Sequence, residues 1–142
     1  MATLRVLLVD DSEAVRRGVC HLLESHPESC LVRVAGDGLE AVRQAEAEKP
    51  DIILLDVSLP GLSGIEAARQ IRRVAPDSKI LFLSQHDSWA GVREALNAGG
   101  TGYVVKSDAP RDLITAIQKV CQGKKFISST LVAHDRRHAH RG

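Results

Sequence analysis

The order of apolar and polar positions divides the chain into five short apolar runs, each followed by a longer amphipathic stretch. Most of the runs are continuous rather than alternating, which is typical of parallel strands covered on both faces. The runs are LRVLLV (4–9), LVRVA (31–35), DIILL (51–55), KILFL (79–83) and GYVV (102–105). The stretches after them have helical periodicity and carry capping signals at their starts. The candidate caps are Asp11 or Ser12, Asp37 with Glu40, and Ser63 with Glu66.

Strict alternation of strand and helix, repeated five times, predicts an α/β fold with a parallel sheet and helices on both sides. With five strands and five helices, we expect a doubly wound, flavodoxin-like sheet in the order 2-1-3-4-5. A fragment of a Rossmann sheet is the alternative, and it requires a different strand order. We predict one domain over residues 1–126. Residues 127–142 lack periodicity and are expected to form a flexible C-terminal tail or the start of a linker.

Composition narrows the class of protein. The net charge of +1 over 142 residues gives no electrostatic case for binding nucleic acid or an acidic membrane surface. The three cysteines are odd in number and lack C-x-x-C spacing, which suits a reducing cytosol. No signal peptide or membrane span is visible, because Asp10 and Asp11 interrupt the first apolar run. We therefore expect a cytoplasmic protein.

Polar residues stand at the ends of four of the five runs. Asp10 and Asp11 follow the first, Asp56 the third, Ser84 the fourth and Lys106 the fifth. In open α/β sheets, chemistry collects at the carboxyl ends of the strands where the strand order reverses, and the first and third strands are neighbours there. The predicted order therefore brings three carboxylates into one crevice, beside a hydroxyl and an ammonium group.

Three carboxylates in one crevice require a cation. Oxygen ligands with room for water favour Mg²⁺ over zinc. The lysine opposite the acids indicates an anion that interacts with both the metal and the ammonium group, and a phosphoryl group fits, because its transfer depends mainly on positioning and charge neutralisation. An aspartate can itself be the nucleophile and form an acyl phosphate.

Four segments resemble the receiver domain of bacterial two-component response regulators, over residues 4–123 in one register. They are VLLVDDSEAVRRGVCHLLE, IILLDVSLPGLSGIEAARQIR, ILFLSQHD and AGGTGYVVKS. The resemblance implies a CheY-like fold in which Asp56 accepts phosphate from a sensor histidine kinase. It also implies a signalling switch that catalyses its own phosphorylation and dephosphorylation, rather than an enzyme. Asp11 and Asp56 would bind Mg²⁺ directly, together with the backbone carbonyl of Ser58, and Asp10 would bind it through water.

The same resemblance implies roles for the remaining site residues. Lys106 would pair with Asp56 and later with its phosphate, and Ser84 would hydrogen-bond the phosphate. Tyr103 would be the aromatic side chain whose rotation reports the change at the surface of helix four, strand five and helix five. Gln85 departs from the small residue that many receivers have after the switch serine, which narrows access to the phosphate.

The stretch GGTGYVVKSDAPRDLITAIQKVCQGKKFIS further resembles the NarL/FixJ-type subgroup, whose receivers usually precede a helix-turn-helix DNA-binding domain. This implies regulation of transcription, with DNA bound only through an output domain that is not present in this chain. The chain fits either a receiver fragment of such a regulator or a stand-alone receiver. Phosphorylation-dependent homodimers would form through the face of helices one and five or that of helix four, strand five and helix five.

Two other functional hypotheses remain. The first is a protein-interaction module with the receiver fold that works without phosphate, for which Gln85 leaves room. The second is a nucleotide-binding protein, because GDGLEA (36–41) matches the G-x-G-x-x-A fingerprint. A capping pair explains that segment more simply, since a complete strand–helix unit precedes it. The histidines His134, His138 and His140 fit either a metal site or a solvated terminus.

Overall fold

Six parallel strands form one sheet in the computed structural model of the chain, which describes residues 3–132. The strands are β1 (Thr3–Val9), β2 (Ser29–Ala35), β3 (Ile52–Asp56), β4 (Lys79–Ser84), β5 (Gly102–Val105) and β6 (Phe126–Ile127). The helices are α1 (Glu13–Leu23), α2 (Gly38–Glu48), α3 (Gly64–Val74), α4 (Trp89–Asn97) and α5 (Ala109–Cys121), and a 3₁₀ turn (Lys106–Asp108) precedes α5.

The strand order is β2-β1-β3-β4-β5-β6, and all neighbouring strands are parallel. The first five strands have the predicted order 2-1-3-4-5, which confirms the flavodoxin-like class. The sixth strand was not predicted. It extends the sheet beyond β5 by two residues, which pair with Gly102 and Tyr103.

Two apolar clusters cover the two faces of the sheet. Side chains of α2, α3 and α4 pack on one face, and those of α1 and α5 pack on the other. All five residues of the central strand β3 are buried, which explains why its run is apolar without alternation. Among the helices described, none has both the length and the apolar character that a membrane span needs.

Hydrogen bonds at the helix starts account for where the chain turns back from each strand. Ser12, Asp37 and Ser63 cap α1, α2 and α3, and each accepts a hydrogen bond from the backbone amide three residues later, at 3.3, 2.8 and 3.2 Å. Of the two candidates at α1, the serine is the cap. Because Asp37 caps α2, the GDGLEA segment has a local structural role.

The residues after position 126 differ from the expected flexible tail. Ile127 lies in β6, and residues 129–132 form a helical turn whose Leu131 is completely buried in the cluster on the α2–α4 face. The physical reason is that this segment is held by acidic side chains of the 3₁₀ turn and α5, about 20 residues earlier in the chain, which no local pattern reveals. The remaining residues of the predicted tail, 133–142, lie outside the described part of the chain, with the three histidines.

Candidate functional site

The three aspartates predicted to share a crevice do so. Asp10 and Asp11 follow β1, Asp56 ends β3, and these two strands pair directly. One carboxylate oxygen from each residue lies within 4.8 Å of the others. Asp10 is completely buried and Asp56 is 4% exposed, whereas Asp11 is exposed to solvent. The site is therefore an acidic crevice that opens on the side of Asp11.

Backbone amides orient the two buried carboxylates. Asp10 Oδ1 accepts a hydrogen bond from the Ser12 amide at 2.9 Å, and Asp56 Oδ1 accepts one from the Ser58 amide at 3.0 Å. Each bond joins a carboxylate to the residue two positions later, a local turn that fixes the side chain. The second oxygen, Oδ2, of each carboxylate faces Lys106.

Lys106 supplies the positive charge in the crevice. Its Nζ lies 2.7 Å from Asp10 Oδ2 and 3.2 Å from Asp56 Oδ2, and its side chain is 16% exposed. The sequence predicted a pair with Asp56 alone, but the ammonium group bridges both acids and lies closer to Asp10. Burial lowers the pKa of Lys106, but the close contact with the Asp10 carboxylate and the charge of Asp56 outweigh that effect, so the pKa is raised.

The Asp56 carboxyl is in an environment that opposes its ionisation. Burial raises its pKa most, and the nearby charge of Asp10 adds to that effect. The Ser58 amide and the Lys106 ammonium lower the pKa, but the net direction is upward. Added positive charge in the crevice would therefore stabilise the ionised carboxylate.

The residues present fit a magnesium ion. Three carboxylates and one ammonium group leave a net charge of about −2, which a dication balances. Within residues 3–132, the buried Asp10 Oδ2 has the ion pair with Lys106 but no hydrogen bond of acceptable geometry, so it retains coordinating capacity. Ser58 is exposed beside Asp56. The role of its carbonyl as a ligand stays a prediction.

Ser84 and Tyr103, the predicted switch residues, both form hydrogen bonds with the backbone of His86. Ser84 is buried at the end of β4, and its Oγ accepts a hydrogen bond from the His86 amide at 3.0 Å. The Tyr103 hydroxyl donates to the His86 carbonyl at 3.0 Å. Tyr103 is 1% exposed, and this burial raises the pKa of its phenol. The connection through the His86 backbone was not visible in the sequence.

Two further residues support the crevice and were not predicted. Arg16 donates from Nη1 to the Asp10 carbonyl at 2.6 Å. Gly64, the first residue of α3, lies so close to β3 that an added Cβ would be 1.9 Å from the Asp56 carbonyl oxygen. A glycine directly after a helix cap was the only signal for this contact. Trp89, at the start of α4, is partly buried and packs against the cluster that contains Tyr103.

Comparison with known proteins agrees with this geometry. The family model for the response regulator receiver domain matches residues 6–118. The transcriptional activator protein ExaE of Pseudomonas putida is 38% identical over 126 residues, which are 89% of this chain and 59% of that protein. The chain thus spans less than two thirds of the length of this relative.

Solved structures give the same result. A LuxR-family two-component response regulator from Aurantimonas sp. SI85-9A1 has a TM-score of 0.86 and 37% identity, covering 95% of this chain and 99% of that one. A second similar structure is the isolated receiver domain of RcsB from Salmonella enterica serovar Typhimurium, solved with the phosphomimetic BeF₃⁻. Its TM-score is 0.84 and its sequence identity is 25%, and the match covers 93% of this chain and 98% of that one. The match of fold, acidic crevice and family model leads to one conclusion: the chain belongs to the response regulator receiver domain family, of the LuxR/NarL type.

Proposed function

We propose that this receiver is switched by phosphorylation of Asp56, with a sensor histidine kinase as the donor. The observation that carries the proposal is the crevice itself, in which three carboxylates lie within 4.8 Å of one another and Lys106 Nζ is in ion-pairing distance of two of them. The nucleotide-binding alternative leaves these residues without a role. Because the chain is itself the acceptor of the phosphoryl group, we regard it as a signalling switch rather than an enzyme.

In the transfer step, a carboxylate oxygen of Asp56 forms a bond to phosphorus while the bond from phosphorus to the histidine nitrogen of the kinase breaks. The electron pair of that bond remains on the imidazole, and the product is an acyl phosphate. Asp10, Asp11, Asp56 and the Ser58 carbonyl would hold Mg²⁺, which supplies positive charge for the phosphoryl oxygens. The chain's own contribution is a carboxylate fixed by the Ser58 amide at 3.0 Å.

Lys106 and Ser84 would hold the transferred group. The ammonium group of Lys106 is already at the Asp56 carboxylate, so a small shift of Lys106 would bring it to a phosphoryl oxygen. Ser84 Oγ accepts from the His86 amide, which leaves its hydroxyl proton available for donation to the same group.

The switch would follow from the shared attachment at His86. If Ser84 changes rotamer to reach a phosphoryl group, its oxygen moves away from the His86 amide, and the loop that also holds the Tyr103 hydroxyl changes position. Phosphorylation would thus shift the population of the α4–β5–α5 surface. A homodimer formed on this surface, or on that of α1 and α5, is part of the proposal.

For the whole protein, we propose regulation of transcription in the cytoplasm. The relative ExaE is named as a transcriptional activator, and the present chain spans only 59% of its length. DNA binding would then reside in an output domain outside this chain. A receiver that acts alone is the other form that the proposal allows.

Intact-mass spectrometry after incubation with acetyl phosphate and Mg²⁺ tests the acceptor. We expect one phosphoryl adduct on the wild type and none on Asp56→Asn. The matched control is Asp77→Asn, because Asp77 is an exposed aspartate two residues before β4, at the opposite end of that strand from the crevice. An adduct on Asp56→Asn at the wild-type rate would refute the assignment, and no adduct on any variant would favour the phosphate-independent interaction module.

A further inference from the structure

The chain beyond the sheet is tied to the turn that carries Lys106. We call the five residues that form this attachment the clamp; they are Asp108, Asp112, Ser128, Ser129 and Thr130. Asp108 ends the 3₁₀ turn that begins with Lys106, and Asp112 lies one turn into α5. Neither acid takes part in the phosphoryl chemistry proposed above, although both are almost completely buried.

Asp108 holds the segment with both carboxylate oxygens. It is 5% exposed and accepts hydrogen bonds from the Ser128 hydroxyl, from the Thr130 hydroxyl at 2.7 Å and from the Thr130 amide at 3.2 Å. Arg111 donates to it at 3.0 Å and balances its charge. A buried carboxylate with this many donors has one well-defined position, since losing any donor leaves buried charge less compensated.

Asp112 adds a second attachment. Its two oxygens accept from the Ser129 amide and the Ser129 hydroxyl, both at 2.9 Å. The Ser128 amide donates to the Tyr103 carbonyl at 2.9 Å, and Leu131 is completely buried in the apolar cluster that also contains Tyr103. Residues 126–132 are thus joined to the sheet, the turn and the core at once.

The clamp is connected to the crevice through the short turn between Lys106 and Asp108. Only one residue separates Lys106 from Asp108, and a 3₁₀ turn of three residues with a hydrogen bond from the Ala109 amide to the Lys106 carbonyl has little internal freedom. A shift of Lys106 toward a new anion therefore displaces Asp108 relative to Ser128 and Thr130. We propose that the clamp reads the state of the crevice: occupation of the crevice by a phosphoryl group loosens residues 126–132. This inference rests on the proposed function.

The backbone amides of Ser129 and Thr130 provide a direct readout, because each donates to a clamp carboxylate. Hydrogen exchange at these two amides is measured on the whole chain, with and without Mg²⁺ and beryllofluoride as the phosphoryl mimic. Beryllofluoride binding is followed separately by fluorine NMR. We expect exchange at both amides to become about fivefold faster, or more, when the crevice is occupied. On Asp56→Asn, the same additions should change nothing.

Two variants test the clamp without a ligand. Asp108→Asn and Thr130→Val should each raise exchange at the Thr130 amide in the free protein, and Thr130→Val does so without removing a buried acid. Asp77→Asn is the matched control and should leave exchange unchanged. Because coupling between two sites is reciprocal, a variant that loosens the clamp completely should also bind beryllofluoride more tightly, by at most the factor by which occupation loosens the clamp in the wild type.

The outcomes separate the two proposals. If beryllofluoride binds the wild type and exchange at Ser129 and Thr130 is unchanged, the clamp does not read the crevice and the inference is overturned, while the proposed function stands. If beryllofluoride and acetyl phosphate both fail to react with the wild type, the proposed function fails, and the signal that the clamp would read fails with it.

Discussion

Replacing Gly64 by alanine tests how closely α3 is joined to the residue that we propose is phosphorylated. An added Cβ would lie 1.9 Å from the Asp56 carbonyl oxygen and 2.8 Å from both the Asp56 carbonyl carbon and Val57 Cα. All three are backbone atoms, so no side chain can rotate away. The start of α3 and the end of β3 must separate instead.

The size of the effect follows from these distances. Ordinary contact begins at 3.4 Å, so the helix and the strand must move apart by about 1.5 Å. This breaks the hydrogen bond from the Gly64 amide to the Val57 carbonyl, now 2.9 Å long, and lifts the buried Ile65 from its place. Overpacking costs about 1–3 kcal/mol and a lost hydrogen bond about 1 kcal/mol. We expect the free energy of unfolding to fall by about 2–4 kcal/mol.

Urea unfolding measures this loss, and Gly18→Ala is the matched control. Gly18 lies on the exposed side of α1, and a Cβ added there would meet no atom within 4 Å. Alanine is the better helix former, so this variant should be more stable than wild type by about 0.5–1 kcal/mol. A Gly64→Ala protein within 0.5 kcal/mol of wild type would refute the argument. If the protein remains folded, its phosphorylation by acetyl phosphate should also be slower, because the displaced atoms belong to Asp56.

Three further predictions concern charge and burial. Lys106→Met should lower the free energy of unfolding of the metal-free protein by about 3 kcal/mol, because Asp10 and Asp56 lose their shared cation. Mg²⁺ should stabilise this variant more than wild type in urea unfolding. Equal responses of the two proteins to Mg²⁺ would contradict this prediction. Burial raises the pKa of Asp108, but the hydrogen bonds that its carboxylate accepts outweigh that effect, so the pKa is lowered in the folded protein. The ionised carboxylate therefore stabilises the fold above the unfolded pKa of about 3.9. This stabilisation is lost as the pH falls through the folded pKa. The stability difference between wild type and Asp108→Asn should therefore be constant from about pH 7 to pH 5 and shrink below about pH 4; a difference that grows with acid would be inconsistent. Leu131→Ala should cost about 2–5 kcal/mol in the same assay, and a loss below 0.5 kcal/mol would place Leu131 outside the core.

The first five strands could be predicted because each is a run of apolar residues long enough to show its period. β6 could not, because a strand of two residues has no period, and Phe126 and Ile127 differ little from any apolar pair in a loop. The attachment of residues 126–132 was hidden for a different reason. Serine and threonine hydroxyls are usually read as loop or capping groups, and here their partners are Asp108 and Asp112, 17–22 residues earlier in the chain.

The members of the site could be predicted because the fold fixes them: in a parallel sheet, residues at the carboxyl ends of neighbouring strands must be close together. Side-chain detail could not, because it depends on packing between distant elements. The Lys106 ammonium group lies closer to the Asp10 carboxylate than to that of Asp56, because the long lysine side chain can reach the more deeply buried acid. Tyr103 points inward because α4 leaves room for its hydroxyl beside Gly91 and the His86 carbonyl accepts from it.

Tyr103 is the residue at which two routes from the crevice meet. One route runs from Ser84 through the His86 backbone to the Tyr103 hydroxyl, and the other runs from Lys106 through Asp108 and Ser128 to the Tyr103 carbonyl. The two routes begin at Ser84 and Lys106, the two side chains that we propose contact the phosphoryl group, and they end at the hydroxyl and the carbonyl of one buried residue. A tightly packed residue moves between discrete positions rather than continuously. Changes in the loop at His86 and in the clamp should therefore appear together, in one transition, when the crevice is occupied.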